Sequence, residues 1–245
     1  MTGLLAHICR HPVKSIGYEE LEGALLEQGR ALPHDRHWAI AHEAAETIEG
    51  WAPKMNFVRG VAGPELMAIR AQLSRGHLTL HHPRQGDITL CPDTEGARLI
   101  DWIRPLWPEG RPAPARVVHV PGQALSDVPE PYVAVLNLAS NRALSARMGQ
   151  DLSIHRWRGN LWLEGLEPWQ EFDLIGQRLK LGEAVLRIVR PITRCKATMA
   201  NPETGAVDAD TLGALRAGYG HQDFGTYALV EQGGSISLGD RVEVL

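Results

Sequence analysis

With 245 residues, 44% hydrophobic and 22% charged, the chain has ordinary globular composition and length for one large domain or two small ones. Its formal net charge of −4 excludes a globally basic surface, and with it nucleic acid or an anionic membrane as a general partner. An anionic ligand must therefore be held by a local patch. Three widely spaced cysteines, at 9, 91 and 195, exclude a disulfide framework and a CxxC metal site and point to a reducing, cytoplasmic compartment.

Residues 4–8 read as a short strand ending before Pro12, too short and too poor in basic residues for a signal peptide. No run of eighteen apolar residues follows anywhere, so no membrane span is expected. Further short strands are predicted over 22–27, 36–41, 66–73, 77–81 and 87–90, divided by Gly, Pro and Asp. Asp93 is the predicted cap of a helix whose apolar face carries Ala97, Ile100 and Ile103. Between Pro105 and Pro131 seven prolines surround one strand, 116–120, and mark the expected junction between domains 1–120 and 121–245.

Beyond it, 132–136 reads as a strand, and Ser140 as the N-cap of a helix stopped by Gly149. A hairpin with a two-residue turn at Gly182-Glu183 spans 178–187, a short helix 210–217, and strands 227–230, 236–238 and 242–245 close the chain. Close-set strands with few helices favour antiparallel sheets over βαβ units. The expected fold is mainly β with some α, in two β-barrel-like lobes.

Cys195 is the strongest candidate for chemistry. It follows the predicted strand 184–189, after Pro191 is expected to end it, and lies among Arg190, Arg194 and Lys196. Nearby cations favour a thiolate, which can act as nucleophile, sulfur carrier or soft-metal ligand. Local charge alone does not choose among these. Three other basic spots join a cation to a turn or strand end: Pro12-Val13-Lys14-Ser15, Asp35-Arg36-His37-Trp38 and Arg156-Trp157-Arg158-Gly159-Asn160. Taken singly, such charges are usually solvated. There is no HExxH, GxSxG, GxGxxG or P-loop run, which removes the sharpest signatures of zinc hydrolases, serine hydrolases and nucleotide binders.

These runs, in this order, resemble the MOSC domain proteins that carry an N-terminal β-barrel domain, relatives of the mitochondrial amidoxime-reducing component and of the C-terminal domain of molybdenum cofactor sulfurase. Pro12-Val13-Lys14-Ser15 is similar to the family's PVKS run, and Asp35-Arg36-His37-Trp38 to its DRxW run. Ser126-Asp127-Val128-Pro129 resembles the lead into the second domain, and Ser140 the serine on its first helix. Arg158-Gly159-Asn160 is similar to R-P-N with Gly in place of Pro, and Arg194-Cys195 with Asn201-Pro202-Glu203-Thr204-Gly205 to the RC…DPxTG signature. A following T-x-R run is replaced here, with Lys54 as the nearest cation.

The resemblance implies a molybdenum cofactor (molybdopterin), with Cys195 as catalytic residue and metal ligand. It also implies Lys14, Ser15, Arg36, Ser140, Arg158, Asn160 and Arg194 as cofactor-binding residues. The expected function is a molybdenum-dependent oxidoreductase that reduces N-hydroxylated or related small substrates. Electrons would come from a partner reductase or ferredoxin-type protein, since the chain carries no flavin, haem or iron–sulfur motif. The alternative is a cofactor or sulfur carrier that uses Cys195 as ligand or persulfide without turnover of its own.

Overall fold

Period-2 alternation of buried and open side chains decides where the sheets form. The computed structural model describes residues 3–245. The elements run β1 (Gly3–Arg10), β2 (Glu19–Leu21), β3 (Gly23–Leu26), β4 (Trp38–His42), β5 (Arg70–Ser74), β6 (His77–His82), β7 (Gly86–Leu90), α1 (Gly96–Ile103) and β8 (Pro114–His119). They continue with β9 (Val133–Asn137), α2 (Leu138–Met148), β10 (Leu161–Glu164), β11 (Arg178–Leu181), β12 (Ala184–Thr193), α3 (Thr211–Tyr219), β13 (Asp223–Gln232), β14 (Gly234–Ser237) and β15 (Arg241–Val244). The protein is mainly β, with three α-helices among the described residues.

Seven strands close into a barrel in the order β10-β9-β13-β12-β11-β15-β1, with β1 returning onto β10. Closure removes the exposed edges that an open sheet would offer for aggregation. Every pairing is antiparallel except β9 with β10, and that parallel pair is joined by the crossover through α2, as parallel strands require. Inward-facing Leu5, Val135, Leu161, Leu179, Leu186, Ile188 and Val230 fill the interior. The barrel takes strands from both ends of the chain, since β1 pairs with β10 and β15, and a separate two-stranded sheet joins β3 to β14.

The second lobe is built from the sheets β4–β8 and β5–β6–β7. Its core includes Val13, Ile40, Val58, Leu66, Leu78, Leu99 and Ile103. α1 contributes Leu99, Ile100, Trp102 and Ile103 to that core, so its one apolar stripe is what docks it.

Four local expectations change. Pro191 does not end its strand: β12 continues to Thr193, and Pro191 sits between two register irregularities, at Ile188/Arg190 and Pro191/Thr193, where a proline is tolerated. The predicted strand 66–73 begins only at Arg70, as β5, because Pro64–Ala68 form a 3₁₀ turn, whereas the strand predicted over 22–27 is found as β3. Asp93 does not cap α1, because its carboxylate accepts from Trp38 Nε1 at 2.8 Å. Ser140 is not an N-cap either. Asn137 accepts from Ala139 N at 2.9 Å, which starts α2 earlier and places Ser140 inside the helix.

Candidate functional site

β12 ends at Thr193, and the next two residues take opposite roles. Arg194 is buried, and its guanidinium donates to the carbonyls of Phe224 and Trp157 at 2.8 and 2.7 Å. Burial pulls it down to about 10, against its charge attraction to Tyr227 and Cys195. Cys195 is exposed and opens the 3₁₀ turn Lys196–Met199, its carbonyl accepting from Thr198 N at 3.2 Å and Thr198 Oγ1 at 3.1 Å. Cys9, by contrast, is buried in the core, and burial pushes its thiol far above its usual value. Cys195 is therefore the thiol available for chemistry at this site.

Beside it lies a cavity of about 270 Å³, lined by residues from both lobes. Its charged lining comprises Lys14, Arg36, Lys54, Arg59, Arg156, Arg158 and Arg194 against Asp35 and Asp127. That excess of cations makes the cavity an anion site despite the acidic chain as a whole. Main-chain geometry aims these groups. Ser15, Arg36 and Arg158 hold φ values of 63°, 49° and 48°, the left-handed region that non-glycine residues adopt only under tertiary constraint.

Hydrogen bonds tie the three turns together. Arg36 N donates to His11 O at 2.7 Å, Lys14 N to Trp38 O at 2.8 Å, and Leu125 N to Arg36 O at 2.8 Å. The Arg36 guanidinium pairs with Asp35 and donates to Arg158 O at 2.7 Å. Arg158 spans the lobes, donating to Gly17 O and Val13 O, each at 3.0 Å. Burial pulls Arg158 down to about 9, with Arg36 pushing the same way. Burial would raise the Asp35 carboxyl, but Arg36 and the His11 hydrogen bond outweigh it and hold it well below the usual range.

Lys14 donates to Asp127 Oδ1 at 2.6 Å and to Leu125 O at 3.0 Å, and burial lowers its ammonium from the usual value despite Asp127. Asn160 donates to Cys9 O at 3.1 Å and accepts from Ala134 N at 3.0 Å, so its amide pins β1 to β9 at the cavity wall.

The cavity thus brings together Lys14, Ser15, Arg36, Arg158, Asn160, Arg194 and Cys195. Ser140 stands apart and does not line it. Buried within α2, its Oγ donates to Glu171 at 2.7 Å and accepts from Trp169 N at 2.8 Å. These bonds brace the 169–171 turn. Among the lining residues that carried no sequence signal as site residues are Arg59, Tyr132 and Tyr227. Arg59 looks like any solvated cation in sequence, and the tyrosines look like strand residues. Only their stacking at 4.9 Å, with Arg190 over both rings, makes them one wall.

A soft ligand beside an array of phosphate-suited cations fits a molybdenum–dithiolene pterin bearing a phosphate. Of the several buried side-chain atoms without a hydrogen-bond partner among the described residues, Arg156 Nε belongs to a residue of this wall. Comparison with known proteins decides the family. The MOSC domain model matches residues 123–243, and the MOSC N-terminal beta barrel domain model matches 2–99.

The chain belongs to the MOSC domain family.

This MOSC chain is 25% identical to mitochondrial amidoxime-reducing component 1 of Xenopus laevis, over 98% of this chain and 81% of that protein. It is also 25% identical to molybdenum cofactor sulfurase of Anopheles gambiae, over 91% of this chain but only 34% of the sulfurase. The crystal structure of the YuaD protein from Bacillus subtilis aligns over 100% of this chain and 96% of its own, with a TM-score of 0.49 and 12% identity. Among the described residues no helix of this MOSC protein is long and apolar enough to cross a membrane.

Proposed function

We propose that this MOSC protein binds a molybdenum cofactor and reduces N-hydroxylated small substrates. The observation that carries this reading is the convergence of one exposed thiol, Cys195, with an excess of buried and half-buried cations around a single cavity. Lys14, Ser15, Arg36 and Arg158 would hold the phosphate and pterin, and the Cys195 thiolate would hold the metal. When bound, the group supplies oxygen-atom removal at molybdenum. The chain's own residues bind and orient: Arg194 fixes the backbone that presents Cys195, and Asn160 keeps β1 and β9 in register behind the cavity.

The reaction takes R–NHOH, two electrons and two protons to R–NH2 and water. The electrons require a partner reductase or ferredoxin-type protein. The substrate chemistry follows the name of the Xenopus relative. A second reading, a carrier of cofactor or sulfur, is favoured by the exposure of Cys195, since a persulfide must reach its acceptor.

The test is metal and pterin analysis of protein from a molybdenum-replete host. Stoichiometric molybdenum that is lost in Cys195→Ala, together with amidoxime reduction by a viologen donor, is the expected result. Molybdenum without turnover, or a cyanolysable sulfur on Cys195 without molybdenum, selects the carrier. Full loading and activity in Cys195→Ala would overturn both.

A further inference from the structure

The Lys14 side chain is 4% exposed, whereas that of its partner Asp127 is 48% exposed. The ammonium has three protons, and two are committed, to Asp127 Oδ1 at 2.6 Å and Leu125 O at 3.0 Å. The two partners differ in freedom. Leu125 O belongs to backbone anchored by Leu125 N on Arg36 O at 2.8 Å, while the Asp127 carboxylate is half-exposed on the turn that Ser126 Oγ closes onto Val128. Lys14 itself cannot swing out: it is buried, bound to that backbone, and 5.7 Å from the centre of the Phe57 ring. The other Asp127 oxygen lies 4.0 Å from Lys54, which is 48% exposed. A carboxylate leaving Lys14 therefore has a second cation waiting at the rim.

We infer that Asp127 decides which anions the cavity accepts: its carboxylate is a built-in counter-ion on Lys14 that an incoming anion must displace. Moving the carboxylate costs the same for every ligand. The gain from Lys14, Arg36 and Arg158 grows with the ligand's charge. A dianionic phosphomonoester clears that threshold more easily than a phosphodiester or a carboxylate carrying one charge. The inference rests on the reading of the cavity as an anion site and names the residue that sets the threshold an anion must clear to enter it.

The experiment is calorimetric titration of the full chain, made in a host that cannot synthesise the pterin, with phenyl phosphate and with its singly charged methyl ester. The wild-type chain is expected to bind phenyl phosphate about tenfold tighter than the ester. Asp127→Asn should bind both more tightly and by a similar factor, because the displacement cost is common to both, so that the weaker-binding ester is brought over the threshold. Asp127→Glu, which keeps the charge, should behave as the wild type. Unchanged or weaker phenyl phosphate binding in Asp127→Asn would overturn the inference, because the carboxylate would then be orienting Lys14 rather than competing for it. An equal gain in Asp127→Glu would overturn it as well. Binding of neither ester by any of the three proteins would remove the inference and the anion site together. Molybdenum content, measured separately on protein from a replete host, tests the proposed function whichever way the titration falls.

Discussion

Gly159 is the residue on which the two neighbouring functional groups, Arg158 and Asn160, depend. A Cβ built there would overlap Leu136 Cδ1 and lie 2.8 Å from Cδ2, so the backbone reaches its position only because the side chain is absent. Leu136 is fully buried and has little room to yield. Gly159→Ala is therefore expected to lose about 1–3 kcal/mol through overpacking, read as a lowered urea midpoint. An unchanged midpoint would mean that Leu136 repacks freely. The strained turns nearby follow the same logic. Six non-glycine residues among those described hold positive φ, and three of them line this cavity. Such strain persists where surrounding structure over-determines it, and here the hydrogen bonds of Arg36 and Arg158 across the lobes do so.

At the scale of elements, α2 shows how a helix start redirects a side chain. The Asn137 side chain caps its first turn while its amide donates to Glu167 O at 2.7 Å and to Glu171 Oε2 at 3.0 Å. Ser140 shares that acceptor, and burial raises the Glu171 carboxyl despite both hydrogen bonds. Asn137→Ala should lower stability by about 1 kcal/mol from the lost cap and further from the lost donor to the buried Glu171 carboxyl, which keeps Ser140. Thermal melts of the variant check this, and cofactor loading should stay unchanged, because Ser140 and Glu171 lie off the cavity lining.

The cavity's motifs were legible because each joins a cation to a turn: Lys14-Ser15, Asp35-Arg36, Arg158-Gly159 and Arg194-Cys195. Ser140 was misplaced because its cap position depended on whether Asn137 or Ser140 began the helix. That choice is made by the buried acceptor Glu171, thirty-one residues away from Ser140.

For the whole molecule, the acid side of stability depends on buried neutral histidines. His11 is fully buried, and burial with the charges of Arg158 and Arg36 holds it well below its usual 6.5 despite Asp35. Burial likewise draws His37 and His155 down to about 4. In each case the unfolded chain takes up a proton at higher pH than the folded one does. Folding stability is then complete above about 6.5 and declines as the pH falls toward 4. The melting temperature should drop across that window. His11→Asn should flatten the decline, and an equal slope in that variant would remove His11 as a cause. Below about 3.8 the depressed Asp35 carboxyl adds a further loss of the same sign.

The sequence by itself determined the mainly β class and singled out the exposed thiol and most of the cations that line the cavity with it. Alternation, turn residues and short cation-bearing runs are local properties, and local steric and hydrogen-bonding rules read them directly. Only the tertiary structure decided that β1 closes the barrel against β10 and β15, that Arg158 fastens one lobe to the other, and that Asp127 sits on Lys14. Those facts join residues more than a hundred positions apart. Such pairings are set by how two cores pack against each other, and no local pattern along the chain carries that information.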